Sequence, residues 1–549
     1  MKLLLRIALS LVAALVGLPL LLVFALFLFS NQNDVVPPSG NPLDALAIQN
    51  VHVINTETGD LLEDQMVIIR GGVIQSVSES SAAPADTTVI DGNGRYMLPG
   101  LWNMHTHVSY PIPGFRLESM PALVAYGVMY ARNLNSDCFG ITCSLGYSVD
   151  QFRALNALVS QGEMLGPELV GLGSYPVNGP PEMGLAMKNQ PAYLAPSTAE
   201  QGRELARYLK RRGVDFIKPY SGINRDAFFG MMEEAKRLDL EVGGHLPQGV
   251  FLSEAIEAGQ RSVEHAVQLP LSCSDVEEEL RPAIAHFLAL NQEQRETLES
   301  EQPEDYEYVR SSKAHYRDII NRFNPERCQK LLALWAEADS YYVPTHVTRW
   351  AETVMHTFPW RHDLRADYVG DLALATRWNP NAENYIELFG NQPEQEQAFI
   401  DHVVHGQTLT GLAHEAGVKV MVGTDTGDTL IYPGASFHDE MLMMVEGGMS
   451  AADVLHAATV TAAEYEGMEE EHGSISVGKA ANLILLRENP LEDIRNSHSV
   501  DAVYYQRRYY NRAELDQVMA GVKSRAKGIS HYLRNGWDIV QAAFAYLTL

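Results

Sequence analysis

The sequence predicts an α/β protein built around a (β/α)8 barrel. Short apolar runs alternate with amphipathic helical stretches between residues 98 and 469, a pattern typical of parallel strands joined by helical crossovers. Eight such runs occur, and eight strand–helix units close a parallel sheet into a barrel. The predicted strands are 98–107, 127–134, 168–176, 214–220, 241–247, 262–268, 340–346 and 418–425.

Two β-rich segments flank the predicted barrel. Residues 43–97 hold alternating stretches broken by a Gly-Gly turn, and residues 470–511 hold a second set that includes "GKAANLILL" and "AVYYQRRYY". We expect these segments to form one small composite β-sandwich from both ends of the chain. Two long connections, 269–339 and 347–417, are expected to be helical insertions that shape a pocket.

The C-terminal residues 512–549 predict a helical tail. Its last part, "GWDIVQAAFAYLTL", is apolar and helix-like. We expect it to pack on the barrel. Pairing of subunits into a homo-oligomer and contact with a membrane are the two alternatives.

The first thirty residues predict a transmembrane anchor. After Lys2 and Arg6, 23 uncharged and mostly apolar residues run from Ile7 to Phe29. As a helix this run is about 34 Å long, enough to cross a hydrocarbon core of about 30 Å. A cleaved signal peptide is the alternative, but no A-x-A site follows the run. The two basic residues place the N-terminus in the cytoplasm, so the linker 31–42 and all later residues are expected outside it, in the periplasm if the cell is Gram-negative.

Composition and cysteine spacing exclude two classes of protein. The formal net charge is −28 without a basic stripe, which argues against nucleic acid as a partner. The cysteines form no CxxC pair, so a zinc finger is excluded. Outside the cytoplasm they can form disulfides in three full pairings, of which Cys138 with Cys143 is the first to test, and reduced buried thiols are the alternative. The four are Cys138, Cys143, Cys273 and Cys328.

Ionisable side chains end five of the predicted strands. His105 and His107 lie two residues apart, so in a strand both project to the same side. An H-x-H pair alone is weak evidence, but barrels of this type carry their chemistry at these strand ends. Imidazoles with a carboxylate suit zinc and similar divalent ions, so one metal site explains the whole set. The other members are Lys218, His245, His265 and Asp425, which end strands four, five, six and eight.

Lys218 in "GVDFIKPY" needs a separate explanation, because an ammonium is a poor metal ligand. Burial of an ammonium is costly, so the pKa of this lysine should fall. The neutral amine can add carbon dioxide to form a carbamate, an anion able to bridge two metal ions. The alternative is an ion pair with Glu264 or Asp425.

Six motifs in order resemble the amidohydrolase superfamily, in its imidazolonepropionase-like and prolidase-like branch. They are "LPGLWNMHTH", "GVDFIK", "GGHLP", "SVEHA", "GTDTG" and "GSISVGKAANLILLRENPLEDI", and the resemblance covers residues 45 to 515. It implies that His105, His107 and Asp425 hold the more buried metal and that His245 and His265 hold a second one. It also implies a carboxylated, bridging Lys218 and two divalent ions, with zinc expected.

The resemblance implies hydrolysis of a carbon–nitrogen bond, in a dipeptide or an N-acyl amino acid. Two metals sharing one water would make a bridging hydroxide, with Asp425 as general base and then general acid. The alternative substrates at the same metals are a cyclic amidine or imidazolone, a lactone and a phosphotriester. A non-catalytic binding barrel is disfavoured, because all six ligand positions are filled.

Three further residues are candidates for contact with a small-molecule or short-peptide substrate. Tyr220 follows Lys218, His346 ends strand seven, and Arg132 lies near the end of strand two. Each has a structural alternative: loop packing for Tyr220 and His346, and an ion pair with an acid for Arg132. Three asparagines stand where such motifs commonly carry aspartate, which leaves the tuning of the site open: Asn103, Asn133 and Asn482.

Overall fold

The barrel is a closed ring of eight parallel strands. This computed structural model describes Leu21, Phe24 and residues 35–548, except 41, 80–81, 110–116, 140–141, 144, 180–194, 311–314, 356–357 and 390–391. The strands that form the barrel lie within the eight predicted stretches: β5 Leu101–Thr106, β6 Val128–Asn133, β7 Glu168–Leu172, β8 Phe216–Ile217, β9 Glu241–His245, β10 Ser262–Glu264, β11 Tyr341–Val343 and β12 Lys419–Val420.

Two runs of neighbouring strands make up this ring. Hydrogen bonds join β5 to β7 in one run and β8 to β12 in the other. The bridges Gly173–Phe216 and Val177–Pro219 connect β7 with β8, and the bridge Thr106–Thr426 connects the first and last strands. All eight strands therefore point the same way, and their C-terminal ends meet at one mouth.

Both ends of the chain meet in a single seven-stranded mixed sheet. Its order is β15-β14-β13-β4-β1-β2-β3, with β1 and β4 parallel and the other pairs antiparallel. Only Gly100 separates β4 from β5, and a Cβ there would lie 2.6 Å from Met129 Sδ, so a larger residue would force the Met129 side chain to move. The strands are β1 Ala45–Ile54, β2 Leu61–Arg70, β3 Val73–Glu79, β4 Thr88–Pro99, β13 Leu483–Leu486, β14 Val500–Tyr505 and β15 Arg508–Asn511.

Helices surround the barrel and fill the two long connections. Some of them start at a side-chain cap: for example, Thr198 Oγ1 accepts from Gln201 N at the start of Ala199–Arg212, which ends at Gly213 with φ +78°. The helices are Met120–Ala125, Val149–Ser160, Ala199–Arg212, Arg225–Arg237, Leu252–Glu257, Leu269–Ser272, Glu277–Ala289, Gln292–Glu301, Pro303–Arg310, Tyr316–Asn321, Pro325–Ala336, His346–Val354, Asp371–Ala373, Asn379–Phe389, Pro393–Glu415, Ala435–Glu446, Ala451–Ala457, Val460–Tyr465, Arg512–Ala526 and Gly528–Thr548.

One continuous hydrophobic core fills the barrel and its helical layer, and a smaller core covers the other face of the seven-stranded sheet. The C-terminal helix packs on the second insertion, because His531 is buried and its Nε2 accepts from Leu372 N at 3.2 Å. The division of the chain at residues 43–97 with 470–511, 98–469 and 512–549 stays a prediction.

The structure contradicts the prediction of a transmembrane anchor. Across the described residues, no helix combines the length and the apolar character that a membrane crossing requires. The two longest ones, Pro393–Glu415 and Gly528–Thr548, carry charged residues such as Asp401 and Arg534. The membrane-spanning part of the predicted fold is therefore not supported, and the predicted membrane-anchored location outside the cytoplasm is withdrawn with it. The run from Ile7 to Phe29 lies outside the described residues, apart from Leu21 and Phe24.

The structure pairs all four cysteines in two disulfides. Cys138 bonds to Cys143, the first pair to test on the sequence, and Cys273 bonds to Cys328. The second bond joins the segment after β10 to the helix Pro325–Ala336 across the first insertion. It therefore closes a far longer loop than the first bond does.

The long-loop disulfide is expected to contribute more stability than the short one. Sequence separations of 55 and 5 residues correspond to about 4 and about 2 kcal/mol in the loop-entropy model. The double variant Cys273→Ser/Cys328→Ser should therefore unfold at a clearly lower urea concentration than Cys138→Ser/Cys143→Ser. An equal or smaller loss in the first variant would contradict this expectation.

Candidate metal centre

The first three predicted ligands lie together at the mouth of the barrel. His105 and His107 project to the same side from the end of β5, and both are buried. Their Nε2 atoms lie 3.4 and 3.0 Å from Asp425 Oδ1. One ligand atom from each of the three lies within 4.8 Å of the other two. Two imidazoles and a carboxylate at this spacing fit one divalent metal ion.

His245 and His265 form the adjacent half of the centre. Their Nε2 atoms face each other at 2.9 Å, and the ring of His265 lies 4.7 Å from that of His105. Each Nδ1 lies 2.7 Å from a hydroxyl oxygen, Ser221 Oγ for His245 and Thr345 Oγ1 for His265. If both Nδ1 atoms donate, two Nε2 lone pairs face each other, an arrangement that calls for a cation between them. The donor chemistry therefore also fits a second metal ion.

Lys218 lies beside the first ligand group. Its Nζ is 3.2 Å from His107 Nε2, and the side chain is only 2% exposed. Burial lowers the pKa of Lys218 to about 8, although the charge of Asp425 acts in the opposite direction. Burial and the charge of Lys218 also lower the pKa of His107 to about 3. The structure thus brings all six predicted ligands into one cluster, with a lysine whose charged form is disfavoured.

Asp425 is held as a carboxylate. Burial alone raises its pKa, but the nearby imidazoles of His105 and His107 lower it well below the usual value. The backbone N–H of Asp425 donates to His105 O at 2.8 Å, which ties the loop after β12 to β5. An ionised carboxylate in this position can bind a cation and accept a proton.

The backbone is strained at three positions around the centre. His265, Thr345 and Asp425 have φ values of +70°, +46° and +57°, in a region that non-glycine residues seldom adopt. Each such residue costs about 1–3 kcal/mol, and such strain clusters at functional sites. The left-handed turn at His265 interrupts strand alternation, so the consecutive residues Glu264 and His265 both reach the His105 imidazole.

Two of the three asparagines, Asn103 and Asn133, hold the backbone beside the ligands, and Asn482 binds a tyrosine of β6. Asn103 Nδ2 donates to Thr424 Oγ1 at 2.7 Å and its Oδ1 accepts from Thr424 N at 3.1 Å, which joins β5 to the loop before Asp425. Asn133 Oδ1 accepts from Val108 N at 3.0 Å. Asn482 Nδ2 donates to Tyr130 Oη at 2.5 Å. In the bonds to Thr424 Oγ1 and Tyr130 Oη the amide nitrogen of Asn103 or Asn482 donates, which an aspartate carboxylate could not do.

The three candidate substrate contacts differ in their access to the mouth. Tyr220 is 37% exposed, and its ring lies against that of His245 with 4.0 Å between centroids and a tilt of 32°. His346 is fully buried, and among the described residues its ring nitrogens have no hydrogen-bond partner. Arg132 is fully buried, and its guanidinium is paired with Glu264. Of these three side chains, Tyr220 alone is open to a bound molecule.

Sequence reasoning missed the role of Glu264. Its Oε2 lies 2.9 Å from His105 Nδ1, and both side chains are buried. Although burial by itself raises the pKa of Glu264, the hydrogen bond with His105 and the charge of Arg132 lower it to about 2. The available signal was its position directly before His265 in "SVEHA", but it was considered only as a partner of Lys218.

The closed parallel barrel and the donor set at its mouth are typical of one class of enzymes, the hydrolases that bind divalent metal ions at the mouth of a (β/α)8 barrel. The model of the family described as "Amidohydrolase family" matches residues 96–506. The chain belongs to the amidohydrolase family, so the predicted family is confirmed. Membership of this family supports the predicted enzyme class, a hydrolase of carbon–nitrogen bonds.

Two curated relatives are imidazolonepropionases. The one from Deinococcus radiodurans is 36% identical over 95 residues, which cover 17% of this chain and 21% of the relative. The one from Arthrobacter sp. (strain FB24) is 25% identical over 261 residues, which cover 42% of this chain and 62% of the relative. The chain thus matches less than two thirds of the length of either relative.

Solved structures share the fold at low identity. A bottromycin amidohydrolase has a TM-score of 0.63 at 20% identity, covering 93% of this chain and 94% of its own. A Xaa-Pro dipeptidase with bound methionine has a TM-score of 0.56 at 18% identity, covering 85% of this chain and 100% of its own. These similarities establish the fold alone.

Proposed function

We propose that this protein is a metal-dependent amidohydrolase that hydrolyses a carbon–nitrogen bond in a dipeptide or an N-acyl amino acid. One observation carries the proposal: the imidazoles of His105 and His107, the carboxylate of Asp425 and the amine of Lys218 converge within 3.0–3.4 Å contacts. A purely structural cluster would not bury two imidazoles and a carboxylate against one amine.

Two divalent metal ions, with zinc expected, fit these donors. His105, His107 and Asp425 would hold one ion and His245 with His265 the other, with Lys218 between them as a carbamate. To form the carbamate, the neutral Nζ adds to the carbon of carbon dioxide and loses one proton to solvent, leaving an anion. When bound, the ions supply Lewis-acid chemistry, which polarises a scissile carbonyl and lowers the pKa of water.

The residues of the chain supply proton transfer and orientation. The Asp425 carboxylate takes the proton of the attacking water and then delivers it to the leaving nitrogen. Tyr220, exposed at the mouth and in ring contact with His245, is placed to donate its hydroxyl to a substrate carbonyl. The hydroxyls of Ser221 and Thr345 keep the Nε2 atoms of His245 and His265 directed towards the centre.

A cyclic amidine or imidazolone is the second candidate substrate class. The observation in its favour is that both curated relatives are named imidazolonepropionases. Ring opening of such a substrate breaks the same type of bond with the same residues. Lactones and phosphotriesters are further electrophiles that this donor set can serve, and nothing on the chain favours them.

Metal removal is expected to abolish turnover reversibly. Purified protein should contain close to two metal ions per chain by elemental analysis and should hydrolyse members of a panel of dipeptides and N-acyl amino acids. Dialysis against a chelator should remove both metal and activity, and added zinc should restore them, because the ions would supply the Lewis acid and lower the pKa of water. Full activity in metal-free protein would contradict the proposal. If turnover is confined to imidazolones, these replace dipeptides and N-acyl amino acids as the proposed substrate class.

A further inference from the structure

A buried hydrogen-bonded chain connects His105 to a guanidinium inside the barrel. His105 Nδ1 lies 2.9 Å from Glu264 Oε2, and a carboxylate oxygen can only accept. Arg132 Nη1 donates to the other oxygen, Glu264 Oε1, at 3.0 Å. All three side chains are 0% exposed. The carboxylate therefore requires a proton on Nδ1 of His105, which leaves the Nε2 lone pair facing Asp425.

Further contacts fix the orientation of Arg132 and Glu264. Ser262 Oγ donates to Glu264 Oε1 at 2.6 Å and accepts from Arg132 Nη2 at 3.1 Å. Arg132 Nη2 also donates to Tyr465 Oη at 3.0 Å, and the guanidinium lies 4.0 Å from the centre of the Phe216 ring. A guanidinium held on this many sides cannot turn towards a bound substrate.

The partner of His105 Nδ1 differs in charge from the partners of His245 and His265 Nδ1. His245 and His265 each place Nδ1 against a neutral hydroxyl, from Ser221 and Thr345. A carboxylate in the same position makes an imidazole a stronger electron donor through its other nitrogen. His105 should therefore bind a cation more firmly than a hydroxyl-supported histidine does.

We propose that Glu264 and Arg132 are positioning residues of the metal centre: Glu264 sets the protonated nitrogen and the ring orientation of His105, and Arg132 with Ser262 holds Glu264. The proposal rests on the proposed function, since it assigns these residues to the metal site named there. It gives Arg132 a role inside the barrel in place of the predicted contact with substrate. Neither residue touches the reacting atoms.

The test is the zinc affinity of Glu264→Gln, measured by competition with a chromophoric chelator. Glutamine keeps the shape of glutamate but lacks the charge, so the affinity of the tighter site should fall about 10–100-fold. The absorption bands of cobalt(II) bound in place of zinc should shift as well, because His105 is a ligand in the proposed site. Circular dichroism and a thermal unfolding curve check that the variant is folded.

Glu466→Gln is the matched control. Glu466 is the other acid beside Arg132, with Oε1 4.0 Å from Nε; its side chain is partly buried, and desolvation raises its pKa to about 8. It is therefore mostly neutral already, and the structure records no contact with His105. Its zinc affinity and cobalt spectrum should match those of the wild type.

The outcomes separate this inference from the proposed function. If the wild-type protein binds no divalent metal, the proposed function itself is refuted. Wild-type protein that binds zinc, with unchanged affinity and cobalt spectrum in folded Glu264→Gln, would overturn the inference alone. If Glu264→Gln does not fold, Ser262→Ala decides, because it removes one hydrogen bond to Glu264 Oε1. A measurable loss of zinc affinity supports the inference there, and an unchanged affinity overturns it.

Discussion

Replacing Asp425 by asparagine is expected to lower kcat/KM for amide hydrolysis by about 10²–10⁴-fold, the usual contribution of a positioned acid–base group. Asparagine has nearly the same size but cannot take a proton from water or return one to the leaving nitrogen. Asp425 is ionised and lies 3.0 Å from His107 Nε2, so the loss falls on the reacting centre itself. The measurement is kcat/KM on the best amide substrate with zinc-loaded protein, together with its zinc content.

Asp428→Asn is the matched control for this variant. Asp428 lies three residues further along the same loop, and its carboxylate accepts from Arg377 Nη2 at 2.8 Å. The change removes the same charge from the same loop, and most of the activity should remain. Equal losses in both variants would mean that the charge of the loop matters rather than the position of Asp425. Full activity of Asp425→Asn with normal zinc content would refute its role in proton transfer.

Replacing Lys218 by alanine is expected to reduce bound metal from about two ions per chain towards one and to lower kcat/KM by at least about 100-fold. Mutation of a residue that contacts only the metal ligands already lowers metal affinity or activity about 10–100-fold. The proposed carbamate would itself be a ligand, so its loss should have at least as large an effect. The side chain is buried 3.2 Å from His107, so alanine leaves a small cavity at the centre. Elemental analysis and kcat/KM are measured on the same preparation.

Small carboxylates distinguish the carbamate from a plain amine. Acetate or formate fits the cavity of Lys218→Ala and can replace the bridging anion, so millimolar amounts should restore part of the metal and of the activity. Lys218→Met fills the same space and should not respond. If Lys218→Ala keeps two metals and wild-type kcat/KM without added anion, the bridging role is excluded.

Much of the barrel can be predicted because buried parallel strands are apolar runs with a polar or glycine-rich end. His105 and His107 at the end of "LPGLWNMHTH" are two residues apart, and that spacing alone places both rings on one side. The positions of Lys218, His245, His265 and Asp425 follow in the same way, since the C-terminal strand ends of a barrel converge.

The contacts between ligands and their supports could not be predicted, because they depend on backbone conformation and on distant partners. Glu264 precedes His265, and regular alternation would place the two side chains on opposite faces. Only the φ of +70° at His265 allows both to reach His105. Arg132 pairs with an acid 132 residues away, which no local pattern reveals. The Cys273–Cys328 pair likewise depends on how the first insertion folds back.

The N-terminal prediction rested on the length and apolarity of one segment and on the residues that flank it. A run of 23 uncharged residues satisfies the geometric criterion for a membrane helix, but the described structure contains no helix that meets it. The barrel prediction rested on eight units that agree with one another, whereas the anchor rested on one segment with no second observation. Agreement between independent elements is the stronger evidence.

β4 runs through Gly100 into the strand that bears His105, and one edge of β4 is completed by β13, with Pro99 opposite Leu483. Nearly 400 residues separate these partners along the chain. A ribosome adding about 5–20 residues per second needs about 20–80 s to cover that distance. For this interval the newborn chain presents an unpaired strand edge close in sequence to the histidines proposed to bind metal. Chaperones that shield such edges, and a metal supply that arrives after chain release, would both favour correct maturation.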